Sequence, residues 1–211
     1  MRVLFGILFG WLLLAIGLAV AVWSGVYNVA ASVPPGKLET KIATFALNQS
    51  VHRRAPVVKN PFSRTPEVLR AGLTHYRENC VDCHGAPGVD VSEFGEGLNP
   101  AAPDLTLPRV QERPDGELFW IVSNGIRTTG MPAFGPTHKP EEIWRIVAFL
   151  RHLPEITPEE QKTLRSATEE SERHHEEAQE AESKGEAPRA PAPERKTTPH
   201  THIHPTPSRK G

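Results

Sequence analysis

Cysteine, methionine and tyrosine are each nearly absent from this chain, with two of each among 211 residues. Charge of one sign is missing as well, because 24 basic residues balance 25 acidic ones and leave a formal net charge of −1. Nucleic-acid binding needs a basic stripe, so no nucleic-acid partner is expected. Structural zinc needs four ligands and usually a second Cys or His pair at similar spacing. No second cysteine pair exists, and zinc would have to recruit scattered histidines. A hairpin signal, such as Asn-Gly between alternating apolar runs, is also missing at the right spacing. The chain therefore reads as helical.

Both cysteines fall in one short stretch, "ENCVDCHGAPG", as Cys80 and Cys83, with His84 directly behind. A thioredoxin-like redox pair requires a βαβ context and a low-pKa thiolate at a helix start. Here the residues before Cys80 read as a helix, which puts the pair at a helix end. The pattern C-x-x-C-H is instead that of covalent c-type haem attachment. Two thioether bonds and one axial histidine account for all three residues. A pair of inert thiols beside a surface histidine is the plainer alternative.

Iron held by histidine on one face commonly has methionine on the other in electron-transfer cytochromes, which raises the reduction potential. Met1 is the initiator, so Met131 in "NGIRTTGMPAFGP" is the methionine candidate. Gly125, Gly130 and Gly135 free the backbone there, while Pro132 and Pro136 stiffen it. The alternatives are a core role for Met131, or His75, His138 or His152 as the second ligand.

CVDCHG followed by GMPAFG resembles the class I c-type cytochrome family, over about residues 66–154. The resemblance implies that the first and last helices cross at Gly72, with Tyr76, Ile146 and Phe149 packed nearby. It implies too that the Pro103 carbonyl fixes the haem histidine and that Leu105 lies on the haem edge. The segment before the domain, including "SGVYNVAASVPP", is similar to membrane-anchored bacterial monohaem cytochromes. Nearly 60 residues beyond the last helix depart from the family pattern.

Local signals give the same helices without the family. Thr65-Pro66 supplies a cap and a first-turn proline. Val68, Leu69, Gly72, Leu73 and Tyr76 then share one face. A middle helix is expected over Asp115–Asn124, with Leu118, Phe119, Ile121 and Val122 buried and Gly125 ending it. The last starts near Pro140, with Glu141 and Glu142 favourable to its dipole and Ile143, Ile146, Val147, Leu150 and Leu153 on its apolar face. Between His84 and Asp115 the composition predicts loops wrapped over the haem. The domain is all-α, and a covalent haem supplies much of its small core.

From Val3 to Trp23 every residue is apolar or glycine, long enough to span a hydrocarbon core of ~30 Å. Trp23 and Tyr27 suit an interfacial belt. A cleaved signal peptide is the rival reading, with Val29-Ala30-Ala31 as the cleavage site, but its apolar region is normally shorter. The expected organisation is a transmembrane anchor over 1–31, a periplasmic tether over 32–64, the haem domain over 65–155, a charged helical extension over 156–183 and a disordered tail over 184–211. Val33, Ile42, Phe45 and Leu47 suggest that part of the tether packs against something. Thr157, Pro158 and Glu160 resemble a capping box. The helix that follows is mostly charged, with Leu164 and Ala167 almost alone as apolar positions, so a solvated extension is expected. His174-His175 and His200, His202 and His204 could bind copper, nickel or zinc weakly, or do nothing at neutral pH.

Charge alone leaves the orientation open, because Arg2 favours a cytoplasmic start while Lys37 and Lys41 lie close on the other side. The resemblance implies a single-pass protein of the bacterial cytoplasmic membrane, its domain on the periplasmic face and holding one covalently attached haem c. Its expected role is electron carriage, with an oxidase, a dehydrogenase or a quinol-oxidising complex as redox partner. No catalytic constellation stands beside the iron, and six-coordinate iron leaves no substrate site, so the chain is not expected to be an enzyme. A haem subunit of a larger oxidoreductase complex, or a haem or metal redox sensor, are the other classes.

Overall fold

The structure, a computed structural model, describes residues 1–184. Its elements are α1 (Arg2–Trp23), α2 (Lys37–Arg54), α3 (Pro66–Asn79), the single turns α4 (Val81–His84), α5 (Glu93–Glu96) and α6 (Pro108–Gln111), then α7 (Asp115–Asn124), α8 (Pro140–His152), a 3-10 turn (Leu153–Glu155) and α9 (Pro158–Ser183). The fold is all-α. Among the described residues the one β-type pairing is an isolated bridge between Ala86 and Val89. The positions of His200, His202 and His204 lie outside the described residues.

The starts of α3, α8 and α9 are fixed by their caps. The Thr65 hydroxyl accepts the Val68 N–H at 3.4 Å ahead of Pro66. The Lys139 N–H donates to the Glu142 carboxylate at 2.7 Å ahead of Pro140. Thr157 and Glu160 satisfy one another's backbone N–H groups at 2.8 and 3.2 Å, a complete capping box.

The core forms where α3 crosses α8. Gly72 is buried, and a Cβ there would stand 2.6 Å from the Phe149 Cβ and press on the Arg145 carbonyl oxygen. Because the side chain is only hydrogen, the two backbones meet, and the Tyr76 and Phe149 rings pack at 5.4 Å between centroids. Such a pair contributes about 0.5–1.5 kcal/mol beyond its buried area. Ile143, Ile146, Val147, Leu150 and Leu153 are all buried. On α7, Leu118 and Val122 are buried, whereas Phe119 and Ile121 are half-buried rather than enclosed. Phe119 sits at the rim, stacked on Trp144 at 4.2 Å.

Polar ties join the rest of the domain. Arg151 on α8 donates to Asp115 at 2.8 and 2.9 Å and also to the Gln111 and Arg113 carbonyl oxygens. Burial pushes the Asp115 carboxyl up, but the Asn60 N–H and the Arg151 guanidinium outweigh it and hold the group below its ordinary range.

Two segments differ from expectation. The stretch read as a tether contains the 18-residue helix α2. Of its expected packing residues, Val33, Ile42 and Phe45 are exposed and Leu47 is half-buried; the fully enclosed residue of α2 is Val51, which is not among them. Asn48 accepts from Arg113 at 2.6 Å, and His52 stands 3.5 Å from Glu117. The second difference is α9, whose first turns are solvated on one side and packed against the domain on the other. Leu164 is fully buried in the cluster that holds Tyr76, Val81, Val89 and Phe149, with Ile156 and Ala167 packed against it. Gln161 and Arg165 donate to the Pro87 and Gly88 carbonyl oxygens at 2.8 and 2.7 Å. One leucine reaching a groove escapes any periodicity test. Past Glu172 the helix belongs to a separate unit, described to Lys184, whose residues Arg173 to Glu180 are exposed.

Leu164→Ala is accordingly expected to destabilise the domain by about 2–5 kcal/mol, as for other buried leucines. Denaturation of the full chain in detergent measures this, and an unchanged midpoint would place Leu164 outside the core.

Candidate functional site

Residues Cys80 to His84 turn a corner between two helices. α3 ends with Cys80 as its C-cap, and the next turn, α4, is closed by the Cys83 and His84 N–H groups donating to the Cys80 carbonyl at 3.2 and 2.9 Å. The buried Tyr76 hydroxyl donates to the Gly85 carbonyl at 2.6 Å, tying the end of the turn back to α3. Ser92 donates through its N–H and its hydroxyl to the Asp82 carbonyl at 2.9 and 3.1 Å, and caps α5 through Gly95. Neither contact follows from the motif, although Ser92 ahead of Glu93 is a cap signature.

His84 is half-buried, with Nδ1 2.9 Å from the Pro103 carbonyl oxygen. A carbonyl only accepts, so the ring proton sits on Nδ1 and Nε2 keeps its lone pair. Burial holds the imidazole pKa below its ordinary value, with the Pro103 bond acting in the opposite sense. A neutral ring with a free Nε2 is the form that binds a metal.

Burial pushes the Cys80 thiol up to about 12, and Cys83 is raised by burial and by Asp82. A redox-active thiol pair needs the reverse, a depressed pKa. No group of three or more His, Cys, Asp and Glu side chains suited to a metal ion occurs among the described residues. The zinc and thioredoxin-like readings thus find no support in the surroundings of the pair.

Met131 lies on a loop laced back to α7. Gly125 ends that helix at φ 63°, where a Cβ would stand 2.6 Å from the Pro132 backbone. The Ile126 N–H donates to the Met131 carbonyl at 3.2 Å, and the Met131 N–H to the Thr129 hydroxyl at 3.2 Å. Beyond the methionine, the Phe134 and Gly135 N–H groups return to the Val122 and Ser123 carbonyls at 3.1 and 2.8 Å. Cys80, Leu105, Phe119, Met131 and Phe134 all pack, half-buried, against the same core cluster. The other candidate ligands are engaged elsewhere. His75 and His138 meet edge to face at 5.3 Å, and His152 stands 3.0 Å from Glu160.

Residues 67–150 match the family model described as cytochrome C oxidase, cbb3-type, subunit III. This segment is a c-type cytochrome domain. Membership implies haem c, and the residues present suit it: two thiols one helical turn apart, a neutral histidine with Nε2 free, and a half-buried apolar rim. The chain is also 25% identical over 140 residues to the quinohemoprotein alcohol dehydrogenase ADH IIB of Pseudomonas putida, covering 61% of this chain and 19% of that protein. It is 27% identical over 134 residues to the 1-butanol dehydrogenase (cytochrome c) of Thauera butanivorans, covering 61% and 18%. A quinohemoprotein alcohol dehydrogenase of Comamonas testosteroni is 24% identical over 135 residues, covering 61% and 18%. The chain spans about a fifth of the length of these curated relatives.

Gly125→Ala is expected to disturb the Met131 loop of this cytochrome domain, because alanine is strained at positive φ and its methyl meets the Pro132 backbone. Strain and overpacking together should cost about 1–3 kcal/mol. Thermal unfolding of the haem-loaded full chain reads the loss, and an unaltered Tm would show that the loop yields freely.

Proposed function

We propose that this chain is a membrane-anchored, one-haem electron carrier, with Cys80 and Cys83 in thioether bonds and His84 and Met131 as axial ligands. The observation that carries this reading is the His84–Pro103 hydrogen bond, which commits Nδ1 and leaves Nε2 as the ligating atom. Haem c, when bound, supplies an iron that takes up or releases one electron. The chain's own residues do the rest. Tyr76 and Ser92 hold the Cys80–His84 turn, Pro103 fixes the histidine tautomer, and the laced loop presents a weak thioether without letting it swing away. Leu105 and Phe119 keep water from the surrounding edge.

α1 is the one helix among the described residues that is long and apolar enough to cross a membrane. Its side chains are exposed apart from a half-buried Ala21, which suits lipid and not a protein core. In the proposed arrangement α1 is a single-pass anchor in the bacterial cytoplasmic membrane and the haem domain stands on the periplasmic face. A quinol-oxidising complex, a dehydrogenase or an oxidase would be the redox partner. The names of the three relatives favour one second reading, a haem subunit that receives electrons from a separate dehydrogenase chain. Purification with a large catalytic subunit would distinguish it from a free carrier.

Acid-acetone extraction is expected to leave the colour with the protein, and the reduced wild type should not bind carbon monoxide. Met131→Ala should open the iron to carbon monoxide. Met131→His should keep it closed but lower the potential, since imidazole stabilises iron(III) better than a thioether does. Redox titration and carbon monoxide difference spectra measure both effects. Ready carbon monoxide binding by the wild type would contradict methionine ligation and move a sensor or open-site enzyme ahead of the carrier.

A further inference from the structure

Helix α2 has two apolar faces. Leu47 and Val51, one turn apart, face the haem domain, and Val51 is completely enclosed there. Leu38, Ile42 and Phe45 repeat at four- and three-residue spacing on the opposite side, so they form one strip. They are 71%, 60% and 67% exposed, and no residue of the domain covers them.

The position of the strip indicates what covers it. The Tyr27 hydroxyl, four residues past the end of α1, donates to the Glu39 carboxylate in the first turn of α2 at 2.6 Å. Asn99, from the loop between α5 and α6, donates to the Ala31 and Val33 carbonyl oxygens at 2.6 and 2.8 Å. The start of α2 is therefore tied to the segment that leaves α1. The helix carries Lys37, Lys41, Arg53 and Arg54 against a single acid, Glu39. That acid is already engaged by Tyr27 and by the Gly36 N–H at 3.3 Å. Lysines beside an apolar strip are the pattern of a helix lying in the plane of a lipid surface, their stems over the hydrocarbon and their ammonium groups among anionic headgroups.

We infer that α2 rests on the membrane surface through Leu38, Ile42 and Phe45, with Lys37 and Lys41 at the level of anionic headgroups. The inference rests on the reading of α1 as an anchor. A protein partner fits less well, because the strip is continuous with the anchor's exit and bordered by lysines. Since Val51 on the other face of α2 and the Asn48–Arg113 and His52–Glu117 contacts towards its C-terminal end fasten the helix to the domain, lipid contact at the start of α2 fixes how the haem domain stands on the bilayer. The stretch from 32 to 64 is then an orienting strut and not a free tether.

The test uses the haem-loaded full chain in vesicles of phosphatidylethanolamine and phosphatidylglycerol. A nitroxide is attached in turn at Ile42→Cys, at Thr44→Cys on another side of α2, and at Leu13→Cys within α1. Power-saturation electron spin resonance compares collisions with oxygen, which concentrates in lipid, and with a water-soluble nickel chelate. Oxygen is expected to dominate at 13 and 42, and the ratio should invert at 44. Lipid-like behaviour at 13 with water-like behaviour at 42 would overturn the inference and leave the anchor standing. Water-like behaviour at 13 would remove the anchor reading, and the inference with it. Shielding of position 42 from both reagents, lost when a co-purified protein is stripped away, would overturn lipid contact in favour of a protein interface.

Discussion

The arrangement of the domain depends on how closely α8 approaches α3 at Gly72. No side chain larger than hydrogen fits between the Gly72 backbone and the Arg145–Phe149 turn. That contact sets Phe149 against Tyr76, and the packed Tyr76 ring points its hydroxyl at the Gly85 carbonyl. The same hydroxyl thereby closes the turn carrying Cys80, Cys83 and His84. From a missing methyl group the constraint passes through two aromatic rings and one buried hydrogen bond to the imidazole. Interiors pack too densely for such a displacement to be absorbed along the way.

The two sides of the site are stabilised by different means. The histidine side is held by helical turns and by the Pro103 carbonyl, contacts that also select the tautomer. The methionine side has no helix, and its order comes from backbone bonds that stitch the loop to the end of α7. In the proposed ligation the thioether is a weak ligand, so its tether would have to be ordered before it met the iron. Thr128 within this loop adopts φ 63°, an uncommon conformation for a β-branched residue. The hydrogen bonds of Ile126, Thr129 and Met131 bracket it.

Much of this was legible in the sequence, and the failures share a cause. The bounds of α3, α7 and α8 follow from Thr65-Pro66, Gly125 and Pro140, because caps and terminators act within a few residues. The C-x-x-C-H motif is equally local. What was missed is long-range. In α2, apolar residues on two opposite faces cancel the periodicity that reveals an amphipathic helix, and Val51 gains its burial from a distant surface. Leu164 sits alone in a charged run, yet the groove beside Val81 and Val89 encloses it. The Tyr76–Gly85 bond is likewise invisible until the chain has folded back on itself.

In the proposed function, Met131 on this loop would hold the haem iron together with His84. With two methionines in the chain, carbon-13 labelling of the methionine methyl groups gives a spectrum simple enough to decide the matter. In the reduced, diamagnetic protein, a methyl group held above the porphyrin lies inside the ring-current cone and is strongly shielded. One methyl resonance is expected far upfield of the ordinary methionine range. If every methyl resonance stays within that range while the haem is bound and reduced, Met131 does not ligate the iron.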